Sequence, residues 1–147
     1  MEVTMKEILS VDNVLLNQSF KTKEEAIIAA GNVLVENGYV TPAYVDKMLE
    51  REEIVSTYMG NNIAIPHSTE GGTDEIIESG ISILVVPEGV PFGDNIAKVV
   101  FGIAGKDGAH MDILSQIAIY CSEQVNVDKL VAATDPQEAV DLIGGEF

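Results

Sequence analysis

The chain has 147 residues, 46% of them hydrophobic, with 8 basic residues against 24 acidic ones and a formal net charge of −16. The hydrophobic content argues against a disordered chain, and the acidity argues against nucleic acid or an anionic membrane as partner, both of which reward Lys and Arg. The length predicts a single domain over residues 1–147, able to bury roughly 70% of its unfolded surface without staples. In chain order, a short strand is expected around Val14 to Asn17, followed by two helices. Thr22 with Glu25 has the spacing of a capping box; Ile27, Ala30, Gly31 and Leu34 then recur at helical spacing, and Gly38 stands where a left-handed C-terminal cap belongs. Thr41-Pro42 signals a second helix, with Val45, Met48 and Leu49 on one face and Arg51 in its last turn. Gly60-Asn61-Asn62 reads as a turn and Ile63-Ala64-Ile65 as a short buried strand, which Pro66 ends because it cannot donate to a sheet ladder.

Gly71-Gly72 marks a flexible segment, and two β-branched stretches follow, Ile81 to Val86 and Ala97 to Ala104. About ten residues separate them, fewer than the dozen or so a parallel crossover needs, so they are expected to be antiparallel neighbours in a mixed sheet. The last third reads as helical. His110, Ile113, Leu114, Ile117, Ala118 and Cys121 form one continuous helix face, a further helix fits Val127 to Ala133, and the last starts at Asp135-Pro136 with Glu138 at the capping-box position. The fold expected is α/β: a single domain with a mixed parallel and antiparallel central sheet of about five strands, flanked by helices.

His67 is delivered to the end of a strand, where chemistry tends to sit on an α/β scaffold. A neutral imidazole is nucleophilic and can attack phosphorus when it is held in place. From the tripeptide alone, a strand-end histidine bonded to backbone is the simpler reading. His110 opens a helix, near free N–H groups and the positive end of the dipole, which suits an anion; it also fits a residue tucked against the core. Arg51 offers forked donors to a phosphate, or else is a helix-terminal cation pairing with Glu50 or Glu53. Ser68 and Thr69 either donate hydroxyls to the same oxygens or only shape the turn. A zinc set from the two histidines with Asp107 or Asp112 is disfavoured, because the histidines lie 43 residues apart and no Cys pair exists. Cys121 is the only cysteine, which excludes an internal disulfide and suits a reducing compartment; its helical position reads as a small buried hydrophobe. No leader opens the chain and no run approaches the roughly 20 apolar residues of a membrane span, so a cytoplasmic protein with no direct membrane insertion is expected. Neither a Gly-x4-Gly-Lys-Ser/Thr loop nor a Gly-x-Gly-x-x-Gly motif is present, which fits a phosphoryl carrier better than a nucleotide-using kinase.

Glu52, Met59-Gly60 and Ile63-Ala64-Ile65-Pro66-His67 together resemble the phosphorylation-site signature of the enzyme IIA components of the sugar phosphotransferase system, in the mannitol/fructose class. Lys23-Glu24-Glu25-Ala26-Ile27, Gly38-Tyr39-Val40, Tyr44-Val45, Met48-Leu49-Glu50-Arg51-Glu52, Pro87-Glu88-Gly89-Val90 and Phe92-Gly93 resemble its mannitol branch. One position departs, Ser68, where the family usually has a very small residue. The resemblance implies that His67 accepts a phosphoryl group on Nε2 from the carrier HPr and donates it to a cysteine of a IIB component, with Nδ1 fixed by a backbone carbonyl. It also implies that His110 steadies the phosphoryl group, that Arg51 clamps it, and that neither cofactor nor metal takes part. The partners implied are HPr and the mannitol-specific IIB/IIC components, which would recruit the protein to the membrane. The acceptor-facing surface is expected to be apolar around His67, with Ile63, Ile65 and Met59 as candidates for packing nearby and their exposure left open. A regulatory IIA-like module that binds other proteins according to its phosphorylation state is the alternative, as is a fructose-specific IIA.

Overall fold

The computed structural model describes residues 8–68, 74–106 and 109–144, the side chains of 109, 110 and 144 excepted. A 3-10 turn at Val11–Asn13 leads into β1 (Val14–Leu15), then α1 (Lys23–Glu36) and α2 (Ala43–Ile54). Next come β2 (Tyr58–Gly60), β3 (Ile63–Ala64), β4 (Gly80–Phe92) and β5 (Asn95–Ala104), then α3 (Ala109–Cys121), α4 (Gln124–Val131) and α5 (Pro136–Gly144). The strands form one sheet in the order β1-β4-β5-β3-β2. β1/β4 and β3/β5 are parallel, while β4/β5 and β2/β3 are antiparallel, so the sheet is mixed as the sequence predicted.

Strand alternation divides the core in two. Ile81, Ile83, Val85, Val99, Phe101 and Ile103 pack with α3, α4 and α5, whereas Leu84, Val86, Val100 and Ala104 pack with α1 and α2. Helices therefore cover both faces, which explains why the central strands read as near-continuous apolar runs. At Gly102 the sheet and α1 come close: an added methyl would strike the Ser82 hydroxyl and lie 3.1 Å from the Ala30 Cβ. The Ser82 hydroxyl itself donates to the Ala30 carbonyl at 2.9 Å.

The helix starts follow the sequence signals, with one shift in each reciprocal bond. Thr22 Oγ1 accepts from the Glu25 N–H at 3.2 Å, but the Glu25 carboxylate reaches back to the N–H of Lys21, not of Thr22. At α5 the Asp135 carboxylate accepts from the Glu138 N–H at 3.0 Å, and Glu138 reaches back to Thr134. Gly38 has the expected positive φ, 82°.

Other boundaries move. The first strand stops at Leu15, because Asn17 takes φ 55°, outside any extended conformation. β4 runs on through Pro87 to Phe92, where a loop was expected; a register shift between Val85 and Val90 takes up Pro87 and Gly89, as bulges commonly do. The turn is thereby pushed to Gly93-Asp94. α4 begins at Gln124, three residues before the expected Val127. β2 was not expected at all. Gly71-Gly72 lies outside the described residues.

Candidate functional site

β3 and β5 are parallel, so their C-terminal ends lie at the same edge of the sheet. Ligands in open α/β sheets bind outside the carboxyl ends of strands. Asn61 and Asn62, both at positive φ, form the two-residue turn that brings β2 back against β3. Beyond Ala64 the chain stays anchored on both sides. The Ile65 N–H donates to the Thr57 carbonyl at 3.0 Å, and the Pro66 carbonyl accepts from the Ile103 N–H at 2.9 Å. Pro66 has no N–H, so the ladder ends there.

His67 follows directly and is half-buried. Its Nδ1 lies 2.7 Å from the Ile65 carbonyl oxygen. A carbonyl can only accept, so Nδ1 carries the proton, and in a neutral ring the lone pair is then on Nε2. This bond turns a generic strand-end histidine into one with a defined tautomer and a defined ring orientation.

Two buried side chains brace this segment. Tyr44, in the first turn of α2, donates its hydroxyl to the Ile103 carbonyl at 2.6 Å and accepts the Ser68 N–H at 3.3 Å. Burial pushes the Tyr44 phenol above its ordinary value, against hydrogen bonds from Ser68 that pull it down. Ser68 is thus tied to α2 through its backbone N–H, a local bond that its place in the sequence did not reveal. Glu52, 5% exposed, accepts from the Thr57 N–H at 2.9 Å and from the Thr57 hydroxyl at 2.6 Å, and pairs with Lys23 at 3.3 Å. Neither Tyr44 nor Glu52 was singled out from the sequence as a site residue, although both fall within the family-like motifs. Tyr44 makes its contacts 24 and 59 residues away in the chain, and no local pattern announces them.

Arg51 lies in the last turn of α2, as expected, and its Nη1 donates to the Val55 carbonyl at 2.7 Å. Pairing with Glu50 is not what the structure gives; Glu50 sits 3.4 Å from Lys47. His110 is the second residue of α3, the element that follows β5 in the chain. Its side chain, Asp107 and Thr69 lie outside the described residues. Ile63 and Ile65, candidates for packing near His67 whose exposure the sequence left open, are buried beneath the helices of the second core, because both point to that face of the sheet. Met59 is exposed, together with Ile54 and Val55 beside it in the chain. Cys121 is buried and its thiol is pushed up to about 12 by burial, so it is no nucleophile. Among the described residues no three His, Cys, Asp or Glu side chains gather into a possible metal set, and no helix is long and apolar enough to cross a membrane.

The comparisons with known proteins agree with this architecture. Residues 7–145 match the sequence profile of the family described as phosphoenolpyruvate-dependent sugar phosphotransferase system, EIIA 2. The chain belongs to that family, whose members are phosphotransferase components. Among relatives, the mannitol-specific phosphotransferase enzyme IIA component of Bacillus subtilis is 54% identical, over 92% of this chain and 96% of that one. Among solved structures, the complex of enzyme IIA mannitol with phosphorylated enzyme IIB mannitol from Escherichia coli matches with a TM-score of 0.88 at 36% identity, covering 93% of this chain and 97% of that chain. The crystal structure of IIA mannitol from Escherichia coli matches at 0.86 and 36% identity, covering 92% of this chain and 98% of that chain. The resemblance read from the sequence, to the mannitol branch, is borne out.

The Glu52 environment generates a pH dependence. Burial alone would raise the carboxyl, but the Thr57 hydroxyl and N–H, with Ser56 and Lys23, outweigh it and leave it below its ordinary value of 4.5. The folded carboxyl is then the stronger acid, so on acidification the unfolded chain binds the proton first. The stabilisation is complete above the ordinary carboxylate range and is lost as pH falls through the lower folded value. Wild type should melt above Glu52→Gln at neutral pH, and the gap should close as pH falls below the ordinary carboxylate range and the folded carboxyl protonates. Thermal melts across that range check this; a gap that widens on acidification would contradict it.

Proposed function

We propose that this chain is the IIA phosphoryl carrier of a mannitol uptake system. His67 Nε2 takes a phosphoryl group from phospho-HPr and passes it to the cysteine of the mannitol-specific IIB component, which serves the membrane-embedded IIC. In the first step the Nε2 lone pair forms a bond to phosphorus while the bond between phosphorus and the donor histidine breaks and its electron pair returns to that ring. In the second, the IIB thiolate forms the phosphorus–sulfur bond and the His67 ring leaves with its lone pair restored. Phosphoryl transfer asks the protein mainly for position and charge stabilisation.

The observation that carries this reading is the 2.7 Å contact between His67 Nδ1 and the Ile65 carbonyl. It keeps the proton on Nδ1, and the carbonyl dipole stabilises the positive charge the ring gains when Nε2 is phosphorylated. The name of the Escherichia coli complex supports a IIB partner, and the names of the close relatives support mannitol as the sugar. Arg51 is the proposed clamp for the equatorial oxygens, exchanging or sharing its bond to Val55 when the phosphoryl group arrives. His110, at the N-terminal turn of α3, is the proposed second donor, with Ser68 and Thr69 in support. The protein acts in the cytoplasm and meets the membrane through its IIB/IIC partner.

Incubation with phospho-HPr should label wild type at His67 and leave His67→Ala unlabelled, read by mass spectrometry at alkaline pH, where phosphohistidine survives. Label retained in the variant would overturn the assignment. The labelled protein should pass its phosphoryl group to mannitol-specific IIB faster than to a fructose-specific IIB; the reverse order would select the fructose reading, and transfer to neither would select a regulatory module. Arg51→Lys should fold with near-normal stability and transfer slowly, because lysine keeps the charge and loses the fork. His110→Ala should also be slow, by about 10²-fold if it supplies one transition-state donor. Wild-type rates would return each residue to a structural role.

A further inference from the structure

Glu52 is a buried carboxylate that the transfer step does not use. Burying such a group is costly unless it is paired and hydrogen-bonded, and here its partners lead in one direction. From Lys23 on α1, bonds run to Glu52, and from Glu52 to the N–H and hydroxyl of Thr57, which is 4% exposed. The Thr57 carbonyl accepts the Ile65 N–H, and the Ile65 carbonyl faces His67 Nδ1. Between α2 and β2 the chain passes through Val55 and Ser56, which lie in no helix or strand and are exposed. Glu52 therefore fixes Thr57, the residue of this connection whose carbonyl holds the Ile65 N–H.

We propose that Glu52 is a positioning residue for His67: by holding Thr57 it sets the place of Ile65, the direction of the Ile65 carbonyl, and so which ring nitrogen of His67 keeps the proton. The bonds pass through successive residues and not through one shared peptide group, so the effect is one of geometry and not of polarisation. Its consequence for transfer rests on the role proposed for His67; its consequence for the tautomer does not.

Ring 15N NMR of His67 in the unphosphorylated full chain reads the tautomer directly. Wild type should show the proton on Nδ1. Glu52→Gln should show the same, since an amide oxygen can still accept from both Thr57 donors. Glu52→Ala, and Glu52→Asp with its carboxylate drawn back by one methylene, should show a mixture of tautomers. Phosphoryl acceptance from phospho-HPr should fall in both, by up to about 10²-fold, as displaced reacting groups can cost. If Glu52→Ala and Glu52→Asp melt lower but keep the wild-type tautomer and rate, Glu52 is only structural and the proposal is wrong. Should Glu52→Ala fail to fold, Glu52→Asp alone decides. A shifted tautomer alongside a wild-type protein that takes no label would overturn the function proposed for His67 and leave this inference standing.

Discussion

The site depends on one hydrogen bond, that between His67 Nδ1 and the Ile65 carbonyl. In an extended strand the N–H and C=O of one residue face the same side. The Ile65 N–H reaches Thr57, just ahead of β2, so its carbonyl points past the start of that strand and meets the imidazole. Pro66 stops the ladder at the right residue, and its own carbonyl is held by Ile103 on β5. The rest of the fold serves to make that bond reproducible. Tyr44 locks Ser68, Glu52 locks Thr57, and two cores on opposite faces of the sheet hold the strands that carry them.

The electrostatics of the chain sharpen the demands on this edge. A phosphoryl group adds negative charge to a protein that already carries −16, so local donors must offset a repulsive background. Long-range repulsion is screened over about 8–10 Å at physiological salt, and the nearest groups therefore decide the outcome. Arg51 is the cation proposed to stand in that setting, with a fork of donors to offer the phosphoryl oxygens. The same acidity favours encounter with partners that present basic surfaces.

Much of the framework was legible because it is written in short-range patterns. The Thr22–Glu25 and Asp135–Glu138 spacings mark helix starts through bonds only three residues long, and the ten-residue gap between Val86 and Ala97 is too short for anything but an antiparallel pair. β2 escaped notice because three residues, Tyr58 to Gly60, carry no periodicity; their pairing comes from the Asn61-Asn62 turn and from β3. The outward extension of β4 was hidden by Pro87 and Gly89, which signal a loop unless a bulge absorbs them. Pro66 and the strand before it placed His67 at a strand end, while its reading as a phosphoryl acceptor came from the wider family-like signature. Tyr44 and Glu52 could not be assigned their roles, since those roles exist only when α2, the residues before β2, and the ends of β3 and β5 converge. The burial of Ile63 and Ile65 belongs to the same class, for the face a two-residue strand presents is fixed by its neighbours.

The central claim is that the fold, by keeping the proton on Nδ1, selects Nε2 of His67 as the atom that carries phosphorus. It is tested most directly by 31P and ring 15N NMR on the protein phosphorylated by phospho-HPr, with the coupling between phosphorus and nitrogen identifying the bonded atom. The account predicts phosphorus coupled to His67 Nε2, with Nδ1 still protonated. A phosphorus–nitrogen coupling at Nδ1 would mean that the Ile65 bond is broken in the working form, and would contradict it.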